Sequence, residues 1–321
     1  MSDTTSFPAT MRGWAIRGYG NEMVLMDDLP VPTPGRRDVL IKMFSAEVGI
    51  WDELVRTGAC DVQRPFPLVL GLGGAGTIVA LGAEVKDFAA GQYVYAYSYP
   101  LADNGSWAEY MLVPDHYVAR VPTSIAPIEA GGLPIAGLSA HEALLDLLGV
   151  EEDEIVLISA GAGGVGHIAV QMASLFGARV GATASRRNRD FLADLGAEAV
   201  IDYSEQDDLT HAILEAFPGG VDKILNCVRG EDANDYVWAL KEGGKMVDLA
   251  GSVTVDRPAV SIISNHVVRG NGARLAKLAR LFDDGALQVA IHDVVRFADA
   301  QDALDEVLTG HVRGKVVIRI S

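Results

Sequence analysis

The stretch Ser159-Ala160-Gly161-Ala162-Gly163-Gly164-Val165-Gly166 decides the fold. It closes an apolar run beginning at Ile155 and leads directly into a helix-length segment, His167 to Phe176. Gly161, Gly163 and Gly166 satisfy G-x-G-x-x-G, in which the first glycine allows a tight turn. The second lets backbone approach a pyrophosphate, and the third lets helix and strand pack closely. The exposed N–H groups and positive dipole end of the following helix then face the phosphates. A glycine loop alone is also compatible with a plain turn, so the flanking text matters.

That text alternates. Apolar runs at Ile155 to Ala160, Val180 to Thr183, Ala199 to Asp202, Ile224 to Cys227 and Met246 to Ala250 are separated by helix-length amphipathic segments, with Gly177 and Gly196 as helix stops. This is the pattern of a doubly wound parallel sheet. From Arg12 to about Pro122 the runs are short and β-branched: Val39 to Met43, Thr77 to Ala80, Tyr93 to Tyr97 and Tyr110 to Val113, parted by Gly, Pro and Asp turns. After Asn265 come a helix (Leu275 to Asp283), a strand near Val289 to Ile291, a helix (Ala298 to Leu308) and a closing strand (Lys315 to Ile320). This tail is too short for a domain of its own and is expected to complete the first. The expected division is residues 1–125 and 266–321 for one domain and 126–265 for the other. Met1 to Thr10 reads as a loose polar tail without a signal-peptide pattern.

The chain has 321 residues, 49% of them apolar, with 26 Lys and Arg against 43 Asp and Glu, a net charge of −17. Such a surface repels phosphate backbones and anionic lipid, which argues against nucleic acid and membrane partners. Two cysteines, Cys60 and Cys227, make neither a disulfide framework nor a structural zinc site, and they suit a reducing cytoplasm.

An NAD site would carry Asp or Glu at the end of its second strand, about 20 residues beyond the loop, to hold the ribose 2′-hydroxyl. This chain reads Thr183-Ala184-Ser185-Arg186-Arg187-Asn188-Arg189 there. A hydroxyl and guanidinium groups replace the carboxylate, and they match a 2′-phosphate. NADPH is therefore the expected cofactor. A cationic first helical turn opposes the helix dipole and so calls for such a reason.

Four segments together resemble the medium-chain dehydrogenase/reductase superfamily, in its zinc-independent quinone oxidoreductase (zeta-crystallin-like) branch. They are Gly71 to Val79, Asn104 to Tyr110, Ala162 to Gly166 and Gly310 to Val317. The resemblance implies an α/β protein: a GroES-like β-barrel catalytic domain plus a doubly wound parallel-sheet Rossmann domain, with nicotinamide meeting substrate in a cleft between them. At the places where zinc-dependent relatives carry metal ligands this chain has Gly49, Leu72 and Ala136, none of which can bind zinc. The resemblance therefore implies hydride transfer from NADPH to an electron-poor acceptor such as a quinone. Alternatives are an enoyl or 2-alkenal double-bond reductase and a non-catalytic NADPH-binding sensor or structural protein. A homodimer is implied through pairing of sheet edges.

Single residues carry competing readings. Asp52 fits substrate orientation or proton relay, and more readily a buried tie between the loop and a barrel strand. Tyr97 and Tyr99 precede the Asn104-Gly105 turn and are candidate proton donors or cleft residues. Gly49 and Trp51 would line the cleft, and Gly73 replaces an acidic residue common among relatives. His141, in a helix start predicted over Gly137 to Ala143, reads as packing, whereas Ser139 lies where relatives approach the nicotinamide. Further expected cofactor contacts are the loop residues Gly161, Ala162, Gly163, Gly164, Val165 and Gly166, then Ser185, Arg186, Arg187 and Tyr203. The strand-end residues Cys227, Val228, Ala250 and Gly251, with Asn271 and Lys315, complete that set; Arg274 and Arg313 are weaker candidates. No metal is expected.

Overall fold

The computed structural model describes residues 7–60, 65–99, 105–206 and 208–321, so Asn104 lies outside the described residues. The chain forms two compact units, one of Met1–Leu138, Arg269–Gly285 and Val289–Ser321, the other of Ser139–Val268 with Ala286–Gln288.

The first unit begins with β1 (Thr10–Ile16), β2 (Val24–Pro30), β3 (Asp38–Val48), α1 (Ile50–Thr57), β4 (Leu68–Val69), β5 (Gly73–Leu81), β6 (Tyr93–Tyr97), β7 (Tyr110–Pro114) and β8 (Val118–Arg120). Short helices α2 (Pro127–Ala130) and α3 (Pro134–His141) follow. The long strand β3 organises the unit. Irregular pairing at Leu40/Ile41 and Met43/Ser45 lets one strand meet β5 along its length, and β7 beside Asp38 to Lys42. Val39, Ile41, Met43 and Ala46 point into a core shared with Ile16, Trp107, Met111 and Val113.

The second unit carries β9 (Ile155–Ile158), α4 (Gly166–Leu175), β10 (Arg179–Thr183), α5 (Arg189–Asp194), β11 (Ala197–Ile201), α6 (Leu209–Ala216), β12 (Val221–Asn226), α7 (Ala233–Trp238), β13 (Leu240–Asp248) and β14 (Ser261–Ser264). Its sheet runs β11-β10-β9-β12-β13-β14 and every pair is parallel. Strand β9 is buried along its whole length because helices cover both faces, which is why it reads as an unbroken apolar run. The order reverses between β9 and β12, and ligands of such sheets bind at that switch point, beyond the strand ends. Helix α8 (Gly272–Asp283), β15 (Ile291–Arg296), α9 (Ala300–Leu308) and β16 (Lys315–Arg319) then complete the sequence. Strand β16 pairs antiparallel with Ser45 to Val48 of β3, returning the chain to the first unit.

Four local expectations are corrected. His141 ends α3 instead of starting a helix, and the chain continues as a π-helical turn, Glu142–Leu148, closed by Gly149 at φ 64°. Gly137 looked like a helix start, yet a Cβ there would stand 3.0 Å from Leu278 Cδ1, so it serves close packing inside the helix. The strand expected near Val289 runs instead from Ile291 to Arg296, where it pairs with β16. Thr10 already belongs to β1, and Phe7 packs its ring 6.4 Å from that of Tyr110. The unit boundaries fall after Leu138 and Val268, where residues 125 and 265 were expected. The reason lies in α2 and α3, whose start is held to β3: Glu47 Oε2 accepts the Ile135 N–H at 2.9 Å.

Candidate functional site

Ser159 and Ala160 lead from β9 into the glycine loop, and Ala160 takes φ 49°, a left-handed conformation rare for a residue with a side chain. The Gly161 N–H donates to Thr183 O at 2.9 Å and the Gly163 N–H to Ala160 O at 2.8 Å, which pins the turn to β10 and to itself. The three glycines meet different surroundings. A Cβ on Gly166 would stand 2.2 Å from Ala160 O, and one on Gly161 would stand 2.8 Å from Ala182 Cβ. A Cβ on Gly163 would meet nothing nearer than Ala160 O at 3.2 Å. The first and third are thus filled by protein, while the second faces outward with Gly164 and Val165, all half-buried. That cradle fits a pyrophosphate brought against bare backbone. His167, wholly buried and not anticipated from the sequence, holds the loop through Nδ1 and Gly163 O at 2.8 Å.

The strand ends beside the loop are tied by a buried polar chain that the sequence reading missed. Ser159 Oγ donates to Asn226 Oδ1 at 2.6 Å and accepts the Cys227 N–H at 2.8 Å. Asn226 Nδ2 donates to Val228 O and to Asp248 Oδ1, both at 2.9 Å. The Asp248 carboxylate, fully buried at the end of β13, also accepts from the Gly251 N–H at 3.1 Å, the Val253 N–H at 2.9 Å and Ser264 Oγ at 3.3 Å. Four strand ends are thereby fastened together. They set the expected contacts Cys227, Val228, Ala250 and Gly251 just beyond the carboxyl ends of β12 and β13. Burial, with Asp248 nearby, pushes the Cys227 thiol up to about 12, so it carries no thiolate near neutrality. Ser159, Asn226 and Asp248, each a single polar residue near the end of an apolar run, were the available signal.

At the end of β10, Ser185 precedes a single 3₁₀ turn, Arg186–Asn188. Asn188 Nδ2 donates to Ser185 Oγ at 3.2 Å, which leaves the hydroxyl hydrogen available for an outside acceptor. The Arg186, Arg187 and Arg189 side chains are exposed. Asp202, unanticipated, fastens this turn through Oδ2, which accepts the Arg186 N–H at 2.8 Å. Tyr203 stands on the neighbouring 3₁₀ turn with 45% of its surface exposed.

In the first unit a second cluster surrounds the loop before α1. Asp52 is buried; its Oδ2 accepts the Gly49 N–H at 2.9 Å, and its Oδ1 has no hydrogen-bond partner. Burial pushes its carboxyl up to about 7, with the Glu47 charge adding to the rise and the Gly49 N–H and Lys315 opposing it. Tyr97 is buried as well, its phenol raised well above the usual range by burial and by Glu47, and its ring stacks on Tyr99 at 6.3 Å. Gly49 and Trp51 are half-buried, and a Cβ on Gly49 would have only Trp51 Cδ1 near it, at 3.6 Å.

Two expected cofactor contacts have other duties. Lys315 Nζ, buried in the first unit, binds Glu47 Oε1 at 2.7 Å and Val48 O at 3.1 Å, so its charge is consumed inside the barrel and not at a 2′-phosphate. Asn271 caps α8, its side chain accepting the Arg274 N–H at 3.0 Å. Ser139 and His141 are both buried on α3. Gly49, Leu72 and Ala136 offer no ligating side chain, and among the described residues no group of three His, Cys, Asp or Glu could hold a metal. No helix among them is long and apolar enough to cross a membrane.

The family model "Alcohol dehydrogenase GroES-like domain" matches residues 35–123, and "Zinc-binding dehydrogenase" matches residues 195–318. A chloroplastic quinone-oxidoreductase of Triphysaria versicolor is 30% identical over 96% of this chain and 98% of its own length. The chloroplastic NADPH-dependent alkenal/one oxidoreductase of Arabidopsis thaliana is 33% identical over 98% of this chain and 80% of its own. Among solved structures, a mycobacterial protein complexed with NADPH superposes with a TM-score of 0.86 at 26% identity, covering 97% of this chain and 100% of its own.

Proposed function

This chain belongs to the zinc-independent, quinone oxidoreductase-like branch of the medium-chain dehydrogenase/reductase superfamily, and from that premise we propose that it is an NADPH-dependent reductase of quinones. The observation that carries the reading is the glycine cradle, closed by protein at Gly161 and Gly166 and open at Gly163, beside a turn bearing Ser185, Arg186 and Arg187. NADPH supplies a hydride to an acceptor already poor in electrons. The backbone of Gly161 to Gly166 binds the pyrophosphate, and Ser185, Arg186 and Arg187 bind the 2′-phosphate, with Tyr203 beside them. The Asp248 chain holds Cys227, Val228, Ala250 and Gly251 in place for the nicotinamide ribose. Gly49, Trp51 and Tyr99 border the acceptor, and Asp52 holds a proton near neutral pH for the step that follows the hydride. We further infer a homodimer paired through the edge strand β14, and a reducing cytoplasmic setting, which a content of two cysteines supports.

A second reading, reduction of the double bond of an enal or enone, is supported by the Arabidopsis relative's printed activity. Steady-state oxidation of NADPH with 1,4-naphthoquinone beside a short enone separates the two: turnover of the enone alone would displace the quinone reading. Replacing Arg186 and Arg187 together by Ala should weaken NADPH about tenfold, because both side chains are exposed and screened, and leave NADH unchanged. Equal weakening of both nucleotides would remove the phosphate role.

Asp52 makes a separate prediction. Its folded carboxyl titrates at about 7, well above an unfolded Asp near ~3.9, so the folded chain holds that proton more tightly. The resulting stabilisation is complete below the unfolded value and is lost as pH rises towards 7, at about 1.4 kcal/mol per pH unit. Asp52→Asn lacks this loss. Its unfolding free energy relative to the parent should therefore climb between pH 5 and 7 and level off above, as followed by urea melts; a flat difference would place the Asp52 titration elsewhere.

A further inference from the structure

The turn after β11 does more than bear Tyr203. Asp202 Oδ1 accepts from the Ser204 N–H at 3.0 Å and from Ser204 Oγ at 2.6 Å, while its Oδ2 takes the Arg186 N–H. These donors, Ser204 foremost, hold the Asp202 carboxyl below its usual range, so it is ionised wherever the protein is folded and near neutral. The Arg186 amide is thereby consumed inside the protein. What Arg186 can offer to an outside anion is its guanidinium, and Glu205 of the same turn stands against it, Arg186 Nη1 to Glu205 Oε1 at 3.4 Å. Both side chains lie mostly in solvent, 78% and 57% exposed, so the pair is loose and exchangeable.

We propose that Glu205 is an internal competitor for the 2′-phosphate: in the free protein it occupies the Arg186 guanidinium and is displaced when the phosphate arrives, which holds the preference for the phosphorylated nucleotide below its ceiling. The inference rests on the NADPH reading and adds to it a residue that sets selectivity. Asp202 and Glu205 divide the work. Asp202 anchors the backbone of the Arg186 turn, and Glu205, carrying one negative charge where the phosphate carries about two, competes for its side chain. Removing the Glu205 charge strengthens only ligands that reach Arg186. A 5′-phosphate on the same adenosine lies with the glycine loop and gains nothing.

The test uses the full-length protein and two probes, 2′,5′-ADP and 5′-AMP, titrated by calorimetry at low salt. Glu205→Gln should tighten 2′,5′-ADP by roughly two- to fivefold, the range of an exposed ion pair, and leave 5′-AMP unchanged. In an Arg186→Ala background the same substitution should have no effect, because the guanidinium that Glu205 holds is gone. Equal tightening of both probes, no tightening of either, or a gain that survives without Arg186 would each overturn the proposal. A parent protein that binds 2′,5′-ADP no better than 5′-AMP would instead overturn the NADPH reading itself, so the two failures are told apart.

Discussion

Gly163→Ala should leave the fold standing and weaken NADPH about 100-fold, whereas Gly166→Ala should damage the fold itself. A Cβ on Gly163 has one near neighbour, Ala160 O at 3.2 Å, a contact that a shift of a few tenths of an ångström relieves. It would project from the open part of the cradle, where a pyrophosphate must come against bare N–H groups. Losing the equivalent of two charge-assisted hydrogen bonds there costs about 3 kcal/mol, which is the 100-fold stated. The Gly166 position differs because its Cβ would sit 2.2 Å from Ala160 O and 2.8 Å from Gly161 Cα, both backbone, which cannot rotate away. The loop would have to separate from α4, at a cost of about 3 kcal/mol or more. Thermal unfolding beside a fluorescence titration with NADPH reads both effects. If Gly163→Ala bound NADPH like the parent, the cradle would not be the pyrophosphate site; if it lost as much stability as Gly166→Ala, the distinction between the two glycines would be wrong.

The contrast between those glycines also shows what the sequence could and could not convey. Strands β9, β10 and β12 were legible because nearly every residue in them is buried, β11 and β13 only through short apolar stretches beside exposed residues, and the spacing of Gly161, Gly163 and Gly166 carried the turn between β9 and α4. Asp202, Asn226 and Asp248 were not recognised. Each is a single polar residue at a strand end, and nothing local tells a buried hydrogen-bond hub from a solvated turn. Glu47 escaped for a longer-range reason: its partner Lys315 lies near the other end of the chain, and only the β3–β16 pairing brings the two together. Lys315 was consequently offered to a phosphate that its buried position cannot serve. His141 was misplaced because Gly137 looks like punctuation, when its bare Cα lets α3 approach Leu278 of α8.

The Glu47–Lys315 pair should show the largest stability effect of any single polar contact in the first unit. Both side chains are almost fully buried, 1% and 8% exposed, and the carboxylate is shared between the ammonium at 2.7 Å and the Ile135 N–H at 2.9 Å. Lys315→Met removes the cation and leaves a carboxylate in a dry barrel, which costs about 3–5 kcal/mol near neutral pH. Burial already pushes the Glu47 carboxyl up, and Lys315 is the chief influence holding it down. Without Lys315 the carboxyl rises further and takes up a proton in the folded state. A carboxyl raised in this way stabilises at low pH and loses that stabilisation as pH climbs, so the deficit of Lys315→Met should be smallest near pH 5 and largest near pH 8. Adding Glu47→Gln removes the lone charge yet keeps an acceptor for the Ile135 N–H. The double variant should recover most of the loss and its deficit should no longer grow with pH, a coupling read directly from the four corners of a double-mutant cycle in urea. Additive losses, or a Lys315→Met deficit that stays level between pH 5 and 8, would mean that the two groups do not depend on one another for their burial.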